Sequence, residues 1–310
     1  MGGSQMEGQN ASAGFKSGYV AIVGAPNVGK STLLNRILRE KISITTPKPQ
    51  TTRNRILGIL NEPDCQMIFV DTPGIHSARD SFNRILVETA LSTLREVDAV
   101  CFLMDASGGD RDINDFIVEN LRRLESPIIL AINKIDTLQE KSRLLPFMEH
   151  CRGLLPFHAI IPICALSGDG VDVLVEEVRG LLPAGPRYFP EDYITDMPER
   201  FLAGEIIREK IFHLVHQEVP YAVAVVVEEF TEEPQRNLIR IQAAINVERD
   251  SQKAIIIGKQ GQMLKEIGKQ ARKDMEVLLG CRIYLGLFVR VQKDWRKDRR
   301  TLTEFGYSPR

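Results

Sequence analysis

The chain has 310 residues, of which 43% are hydrophobic and 26% are charged, and its formal net charge is −1. This length is sufficient for two domains that each bury a core of their own. No apolar run approaches the roughly 18 residues of a membrane span, which excludes a transmembrane segment and predicts a soluble protein. The five cysteines form no Cys-x-x-Cys pair, and we expect them to be reduced thiols of a cytosolic protein.

The charge is unevenly distributed along the chain. Residues 1–197 carry 20 basic and 25 acidic side chains, whereas residues 198–310 carry 20 basic and 16 acidic ones. A basic C-terminal part beside an acidic N-terminal part favours a polyanionic partner. A chance surplus of surface lysines would give the same imbalance, so charge alone leaves both interpretations open.

The N-terminal segment, residues 1–17, is rich in Gly and Ser. It lacks the apolar stretch of a signal peptide and the arginines of a transit peptide. We therefore expect a disordered leader.

From residue 19 to about residue 182, short β-rich runs alternate with amphipathic segments. Two of the runs are almost entirely apolar, which suits strands covered on both faces of a largely parallel sheet. The pattern predicts a doubly wound α/β domain over residues 18–183, with its ligand site beyond the carboxyl ends of the strands. The predicted strands are 19–23, 55–60, 65–70, 97–104, 128–132 and 160–163, and the clearest helical spacing is that of Val171, Leu174, Val175, Val178 and Leu182.

A second, smaller α+β domain is predicted over residues 198–295. It follows a stretch rich in proline and aromatic residues, 184–197, which is expected to be an ordered linker. Two strands of alternating polarity, 239–247 and 283–291, enclose a helical pattern over 260–279, and the predicted order is α-β-β-α-β. Residues 296–310 are predicted to form a basic C-terminal tail.

The first predicted strand leads into a loop of the form Gly-x-x-x-x-Gly-Lys-Ser. In such a loop, backbone N–H groups face phosphate oxygens, Lys30 reaches the β- and γ-phosphates, and Ser31 offers a hydroxyl to Mg²⁺. The loop predicts a nucleoside triphosphate as ligand. Its residues are Gly24, Ala25, Pro26, Asn27, Val28, Gly29, Lys30, Ser31 and Thr32.

A second motif, Asp71-Thr72-Pro73-Gly74, follows the predicted strand 65–70. Asp71 is expected to hold Mg²⁺ through water, and the Gly74 N–H to meet a γ-phosphate. This turn would therefore sense whether the γ-phosphate is present.

Two further motifs distinguish GTP from ATP. In Asn133-Lys134-Ile135-Asp136 a carboxylate can accept the ring N–H and the exocyclic amine of guanine, which adenine does not present in that arrangement. Cys164-Ala165-Leu166 ends the next strand, where a backbone amide could meet the guanine carbonyl. Each motif alone is common in surface turns, but all of them in order, each at a strand end, indicate GTP.

These motifs resemble those of the translation-factor-like class of P-loop GTPases. Pro26-Asn27, Gln50-Thr51-Thr52-Arg53 and Asp-Thr-Pro-Gly are similar to the Era family in particular. The resemblance implies that Thr51 and Thr52 lie in switch I, with Thr52 as the Mg²⁺-binding threonine. A polar loop without metal contact is the alternative, and the segment 43–55 is expected to be mobile when empty and ordered by γ-phosphate.

The residue after Asp-Thr-Pro-Gly is Ile75, where Ras-like GTPases carry a water-orienting glutamine. An isoleucine can neither donate nor accept a hydrogen bond, so water attack must be organised otherwise. Related GTPases with an asparagine like Asn27 hold a K⁺ ion, and we extend this role to Asn27 as a hypothesis beside that of a structural turn residue. We expect a slow, cation-assisted GTPase with Lys30, Asn27, Thr52 and Gly74 as its catalytic groups.

In the second domain, a Gly-x-x-G loop follows an apolar run, Ile255–Ile257, that is interpreted as a β-run, and it opens a helix. With the predicted element order, it resembles a type II KH domain, which clamps about four nucleotides of single-stranded nucleic acid. A plain strand–helix turn is the alternative for the loop alone. The residues expected to contact RNA are Ile256, Ile257, Gly258, Lys259, Gln260, Gly261 and Lys265.

The C-terminal run of basic residues surrounds the only tryptophan of the chain. Lys293 and Arg296 suit phosphate contact, with Trp295 as a platform for base stacking. A solvated charged tail is the alternative.

The combination of the two domains implies, by resemblance to the Era family, a switch controlled by GTP and Mg²⁺, with K⁺ as a further cation. Such proteins bind the single-stranded 3′ end of 16S ribosomal RNA on the 30S subunit and assist its assembly. The linker around Tyr193 is the expected hinge. We expect a monomer in the cytoplasm with weak peripheral association with the inner face of the cell membrane.

Two other classes of function remain as alternatives. The chain could be chiefly an RNA-binding module whose GTPase times release, in which case RNA affinity would survive Lys30→Ala. It could instead be a membrane-associated signalling GTPase whose C-terminal domain binds protein. The Gly258–Gly261 loop argues against the second.

Overall fold

A computed structural model describes residues 14–46, 48, 51–75, 81–216 and 218–307, and it contains two separate β-sheets. The N-terminal part has strands β1 (Lys16–Gly24), β2 (Ile56–Asn61), β3 (Cys65–Asp71), β4 (Ala99–Asp105), β5 (Ile128–Asn133) and β6 (Ala159–Pro162). Its helices are α1 (Lys30–Leu38), α2 (Ser81–Thr93), α3 (Arg111–Leu121), α4 (Leu144–Arg152) and α5 (Val171–Leu181).

The strand order in the N-terminal sheet is β2-β3-β1-β4-β5-β6. β2 runs antiparallel to β3, and the other neighbouring strands are parallel. One face of the sheet packs against α1 and α5, through residues such as Leu34 and Leu174, and the other packs against α2, α3 and α4. The predicted doubly wound architecture and its strands are confirmed.

The sheet begins earlier than expected. Lys16 and Ser17 belong to β1, where they pair with Cys65 and Gln66 of β3, and Ser17 is fully buried. The N–H of Ser17 donates to the carbonyl of Pro183 at 3.1 Å. Lys16 and Ser17 are polar, so they do not show the apolar pattern typical of a buried strand. The expected disorder of residues 1–17 is therefore wrong at these two positions, and residues 1–13 lie outside the described chain.

The C-terminal part has helix α6 (Glu199–Leu214), strands β7 (Ala224–Glu233) and β8 (Leu238–Val247), helices α7 (Asp250–Ile257) and α8 (Gln262–Leu279), strand β9 (Arg282–Val291) and helix α9 (Arg299–Glu304). β8 lies between β7, which is antiparallel to it, and β9, which is parallel. α6 and α8 cover one face of this sheet, with Ile207 and Ile267 in the shared core. Within the described residues, no helix is both long and apolar enough to cross a membrane.

One prediction for this part is wrong. The apolar run Ile255–Ile257, interpreted as a β-run before the Gly-x-x-G loop, is the end of α7, so the loop joins two helices. Side-chain propensity favours a strand here, but Gln252 caps the helix start by accepting hydrogen bonds from the N–H groups of Glu248 and Arg249. The observed order is therefore α-β-β-α-α-β.

The segment between the two parts is held along the edge of the first sheet. The side-chain amide of the fully buried Gln66 accepts hydrogen bonds from the N–H groups of Tyr188 and Phe189. The N–H of Ile59 in β2 donates to the carbonyl of Ile194 at 2.9 Å, and Thr195 donates to β2 through its hydroxyl. These bonds hold the backbone around Tyr193 against the first sheet, which makes Tyr193 a poor hinge.

Candidate nucleotide and RNA sites

A cleft of about 540 Å³ opens at the carboxyl ends of the parallel strands. Most of the predicted nucleotide residues line it, namely Pro26, Asn27, Gly29, Lys30, Ser31, Thr32, Thr52, Gly74, Asn133, Lys134, Asp136, Cys164, Ala165 and Leu166. Of the other predicted residues, Val28, Asp71, Thr72 and Ile75 are buried. Motifs separated by more than 100 residues in sequence therefore meet at one site.

The phosphate-binding loop is shaped by Gly29 and Asn133. Gly29 has a φ of 102°, and a Cβ at this position would lie 2.3 Å from the side-chain nitrogen of Asn133. That nitrogen donates to the carbonyl of Val28 at 2.7 Å, while the Asn133 oxygen accepts the N–H of Ala165 at 2.9 Å. Asn133 thus joins the phosphate loop to the loop after β6, and only glycine fits beside it.

Lys30 lies at the start of α1 with its ammonium group folded back over the loop. Its Nζ donates to the carbonyls of Gly24 at 3.2 Å and Ala25 at 3.0 Å. Burial lowers the pKa of Lys30 to about 8, against the opposing effect of Asp71. An anion in the cleft would raise the pKa of Lys30 again, since opposite charge favours the protonated lysine.

A group of hydroxyls surrounds the carboxylate of Asp71. Its Oδ2 accepts hydrogen bonds from Ser31 at 2.7 Å, Ser43 at 2.9 Å and Thr52 at 3.3 Å, and the Ser31 and Thr52 oxygens are 2.8 Å apart. The other carboxylate oxygen, Oδ1, is buried without a hydrogen-bond partner in the described chain, and burial raises the pKa of this group.

These oxygens fit a magnesium ion. Mg²⁺ binds oxygen at about 2.0–2.1 Å in octahedral geometry, so neighbouring ligands stand about 3 Å apart. Ser31 and Thr52 have this separation, and Asp71 is close enough to bond a metal-bound water. The buried Oδ1 atom needs a positive or hydrogen-bonding neighbour. The predicted metal set Ser31, Thr52 and Asp71 is therefore brought together.

The loop Asn133–Asp136, which is predicted to recognise guanine, is partly organised by an ion pair. Lys134 has a φ of 65° and its Nζ lies 2.8 Å from Asp105. Burial alone would raise the pKa of Asp105, but hydrogen bonds from Lys134 and Ser107 hold it below its ordinary value. The carboxylate of Asp136 is exposed at the cleft, where a base could reach it.

In the loop after β6, two of the backbone N–H groups that could meet a guanine carbonyl already donate hydrogen bonds within the protein. The N–H of Ala165 donates to Asn133, and that of Cys164 donates to the carbonyl of Asp169 at 2.8 Å. A guanine carbonyl would have to share the Ala165 amide or use that of Leu166. The Leu166 side chain is 72% exposed and flanks the cleft.

The turn Asp71–Gly74 is fixed against the phosphate loop. Thr72 donates its hydroxyl to the carbonyl of Ile22, and the N–H of Ile75 donates to the carbonyl of Gly24 at 3.2 Å. A Cβ on Gly74 would lie 3.0 Å from the Cα of Pro26. Ile75 is fully buried, so its side chain cannot reach a water molecule in the cleft.

The segment 41–55 contacts the C-terminal domain at α6 and α8. Glu209, which is 1% exposed, accepts the N–H of Thr45 at 3.1 Å and the ammonium of Lys41 at 2.6 Å. Asp274 of α8 binds the same lysine. Arg208, which is fully buried, donates to the carbonyl of Thr51, and Glu205 holds its pKa above the ordinary value against the effect of burial. We call this surface the domain junction.

Sequence reasoning missed these residues. Ser43, Arg208 and Glu209 carry no motif of their own, and the roles of the last two depend on a contact between segments about 160 residues apart. The sequence offers no signal for them beyond a run of charges, whereas the structure shows that Glu205, Arg208, Glu209 and Lys210 are buried together on α6.

The Gly-x-x-G loop has the conformation that its glycines allow. Gly258, Gln260 and Gly261 have φ values of 70°, 51° and 77°, and Gly261 is the N-cap residue of the 18-residue helix α8. No heavy atom outside its chain neighbours would approach within 4 Å of a Cβ on Gly261. The predicted contacts Lys259, Gln260, Lys265 and Lys293 are exposed, and Ile257 is half-buried. The open backbone at Gly261 lets a phosphate chain approach closely.

Two predicted RNA contacts are wrong. Ile256 is fully buried in the core between α7, α8 and the sheet, so it cannot form the floor of a base groove. Trp295 is also fully buried, and its indole N–H donates to the carbonyl of Ala222 at 3.0 Å. Its ring contacts Phe82 of α2 and stacks on Tyr307 at 5.8 Å. The tryptophan therefore joins the two domains instead of presenting a stacking platform.

The C-terminal segment is only partly a solvated tail. Helix α9 is capped by Asp298, and Leu302 is buried in the cluster around Trp295. Arg296, which was expected to contact phosphate, lies 2.6 Å from Glu248. The segment is not fully solvated because apolar residues such as Leu302 lie between the charged ones and pack into the core.

Comparison with known proteins identifies both parts of the chain. A family model described as 50S ribosome-binding GTPase matches residues 19–134, and a KH domain model matches residues 218–296. A protein of Geotalea uraniireducens named GTPase Era is 57% identical, covering 94% of this chain and 98% of that protein. A GTPase Era of Syntrophus aciditrophicus is 55% identical over 95% of this chain and 96% of its own length.

Two solved structures match both domains. One is described as Era in complex with MgGDPNP and nucleotides 1506–1542 of 16S ribosomal RNA; it is 45% identical, with a TM-score of 0.92, over 95% of this chain and 99% of that chain. The other is a point variant of Aquifex aeolicus Era bound to GDP·AlF4⁻; it is 44% identical, with a TM-score of 0.91, over 95% and 100% of the two chains.

The burial of Trp295 predicts a large effect on stability. Trp295→Ala should lower the free energy of unfolding by about 3–5 kcal/mol, because it opens a cavity in the aromatic cluster. Trp295→Phe should cost less, because it retains a ring and loses the hydrogen bond to Ala222. Urea unfolding followed by circular dichroism measures both, and a negligible change for Trp295→Ala would contradict the buried position.

Proposed function

This chain belongs to the Era family of GTPases, and from that premise we propose that it is a GTP-controlled RNA-binding protein that acts on the 3′ end of 16S ribosomal RNA and assists assembly of the small ribosomal subunit. The observation that carries this proposal is the match of both domains to an Era protein that was solved with MgGDPNP and 16S RNA. The matching family description mentions the 50S subunit, but it covers only residues 19–134. The KH domain, which lies outside that match, would determine which RNA the protein binds.

We assign GTP, GDP and Mg²⁺ to the cleft of the N-terminal domain. In this assignment Lys30 and the loop amides hold the phosphates, and Asp136 accepts two hydrogen bonds from guanine. Ser31, Thr52 and Asp71 hold the metal, whose charge would offset the charge that develops on the phosphates. The distances among these three side chains support the assignment.

In GTP hydrolysis, water attacks the γ-phosphorus and the bond to the β-phosphate oxygen breaks, releasing GDP and phosphate. We propose that Lys30 and the Gly74 N–H stabilise the charge on the γ-phosphate in this step. With an apolar, buried residue at position 75, no side chain there can orient the water, and the unassisted reaction is expected to be slow.

The two domains are proposed to work as a switch. Residues 18–183 would bind the nucleotide, residues 184–197 would form the linker, and residues 198–295 would bind RNA through Lys259, Gln260, Gly261, Lys265 and Lys293. Because segment 41–55 contacts α6 directly, the presence of γ-phosphate would change the free energy of the domain junction. We further propose a cytoplasmic monomer with weak peripheral association with the membrane.

The guanine assignment predicts the effect of one substitution. Asp136→Ala removes two hydrogen bonds to a charged acceptor, so GDP affinity should fall by about 10²-fold, equivalent to about 3 kcal/mol. Glu140→Gln, which changes an exposed carboxylate four residues away, is the matched control and should bind GDP normally. Isothermal titration calorimetry measures both affinities, and equal affinities would contradict the assignment.

The switch proposal predicts different RNA affinity in the two nucleotide states. A short RNA from the 3′ end of 16S rRNA should bind more tightly with GDPNP than with GDP, as measured by fluorescence anisotropy. Lys259→Gln should weaken binding and reduce the slope of log K against log salt by about one, because one phosphate contact is lost. Lys141→Gln, an exposed lysine of the first domain, is the control. Equal affinity in the two states would favour an RNA-binding module whose GTPase times release.

The potassium hypothesis predicts a dependence on the monovalent ion. Asn27 is exposed at the cleft with a φ of 60°, which supports the proposal that it helps to hold K⁺ beside the phosphates. Turnover should be faster in KCl than in NaCl at equal ionic strength, and Asn27→Ala should remove the difference. Equal rates for the unmodified protein in the two salts would contradict the hypothesis.

A further inference from the structure

Arg53 connects the metal site to the C-terminal domain. It directly follows Thr52, whose hydroxyl lies among the proposed metal ligands, and its own side chain is 2% exposed. The guanidinium reaches the C-terminal domain, where Nη1 donates to the carbonyl of Val223 at 2.6 Å and Nη2 donates to that of Tyr221 at 3.0 Å. Two adjacent residues of switch I are therefore held at different domains.

Two aromatic rings complete the surroundings of Arg53. Its guanidinium carbon lies 5.4 Å from the ring centroid of Phe82 in α2 and 5.8 Å from that of Tyr307 after α9. A planar guanidinium can donate at its edge while its faces contact aromatic rings, which a lysine ammonium cannot do. Arg53 thus contacts the helix after the Asp-Thr-Pro-Gly turn, the loop before β7 and the C-terminal segment at the same time.

We propose that Arg53 is a positioning residue that holds Thr52 at the metal site when the C-terminal domain is docked, and that it thereby gives the docked protein its preference for GTP over GDP. This inference rests on the proposed GTP-controlled function. The γ-phosphate and its Mg²⁺ order switch I, whereas GDP leaves switch I released. An interaction that fixes Thr52 in advance therefore strengthens GTP binding and leaves GDP binding unchanged. By reciprocity, bound GTP favours the docked domain to the same extent.

The other contacts of switch I are less suited to this role. Lys41 and Thr45 bind Glu209 several residues before Thr52. Thr51, whose carbonyl accepts from Arg208, and Arg53 both flank Thr52, but the Arg53 side chain also contacts Phe82 of α2 and so bridges the two domains. Loss of its side chain should therefore release Thr52 while these other bonds remain.

The test compares two nucleotides in the full-length protein without RNA. Affinities for fluorescent GDPNP and GDP, each with Mg²⁺, are measured for the unmodified protein, Arg53→Ala and Arg53→Lys. Arg53→Ala should lower GDPNP affinity by about tenfold or more, within the usual range of coupling between sites, and leave GDP affinity unchanged. Arg53→Lys retains the charge without the planar fork and should show the same selective loss.

A control and a fallback make the result decisive. Arg179→Ala removes an arginine paired with Glu62 and Asp64 at the opposite end of β3, and it should change neither affinity. Unchanged affinities in the Arg53 variants, or equal losses for GDPNP and GDP, would overturn the proposal. If circular dichroism shows that both variants misfold, Tyr307→Ala, which removes one ring from Arg53, is judged by the same criterion.

Failure of the proposed function gives a different result. If the unmodified protein does not bind RNA from the 3′ end of 16S rRNA, the proposed function is wrong. The comparison of GDPNP with GDP still decides the role of Arg53, because it is made without RNA.

Discussion

A single carboxylate oxygen, Oδ2 of Asp71, accepts hydroxyl hydrogen bonds from the phosphate loop and from two positions of switch I. The group is fully buried, and an ionised carboxylate in such a place requires donors or a cation to offset the loss of water. These hydroxyls come from α1 and from switch I, and Asn35 of α1 also bonds the backbone of Ser43. Asp71 therefore links the proposed metal site to switch I, which in turn contacts the domain junction.

The domain junction is polar, in contrast to the apolar cluster of Phe82 and Trp295 that also joins the two domains. Glu209, Arg208 and Lys210 are buried at the domain junction, and each is paired with a group of opposite charge. Burial of such groups costs desolvation energy that their pairing roughly offsets, so the net stabilisation of a buried ion pair is small. The ion pairs at the domain junction therefore add little net stabilisation to the contact between the domains.

The sequence was sufficient to predict the parts that depend on local chemistry. The phosphate loop, Asp71, Asn133 and the strands that carry them follow from motif spacing, because each motif must lie at a strand end to reach a phosphate or a base. The Gly258–Gly261 loop was found in the same way, although the helix before it was taken for a strand.

The remaining features depend on contacts between distant segments. Trp295 lies among basic residues and was expected to face RNA, but its ring is covered by Phe82, a residue 213 positions earlier in the chain. Arg53 stands in a recognised motif, yet its partners lie in another domain. Local patterns cannot tell which side of a short helix another domain will cover, so both roles required the structure.

The bonds that hold the linker to β2 also limit the distance that the second domain can travel. With Ile194 and Thr195 fixed to the sheet edge, the tether between the domains shortens to the few residues before α6. A short tether keeps a released domain at an effective concentration of the order of millimolar near its docking surface. Weak contacts would then be enough for rapid return, and in the proposed switch each cycle of release and return would take place within one molecule, independently of how much of the protein the cell contains.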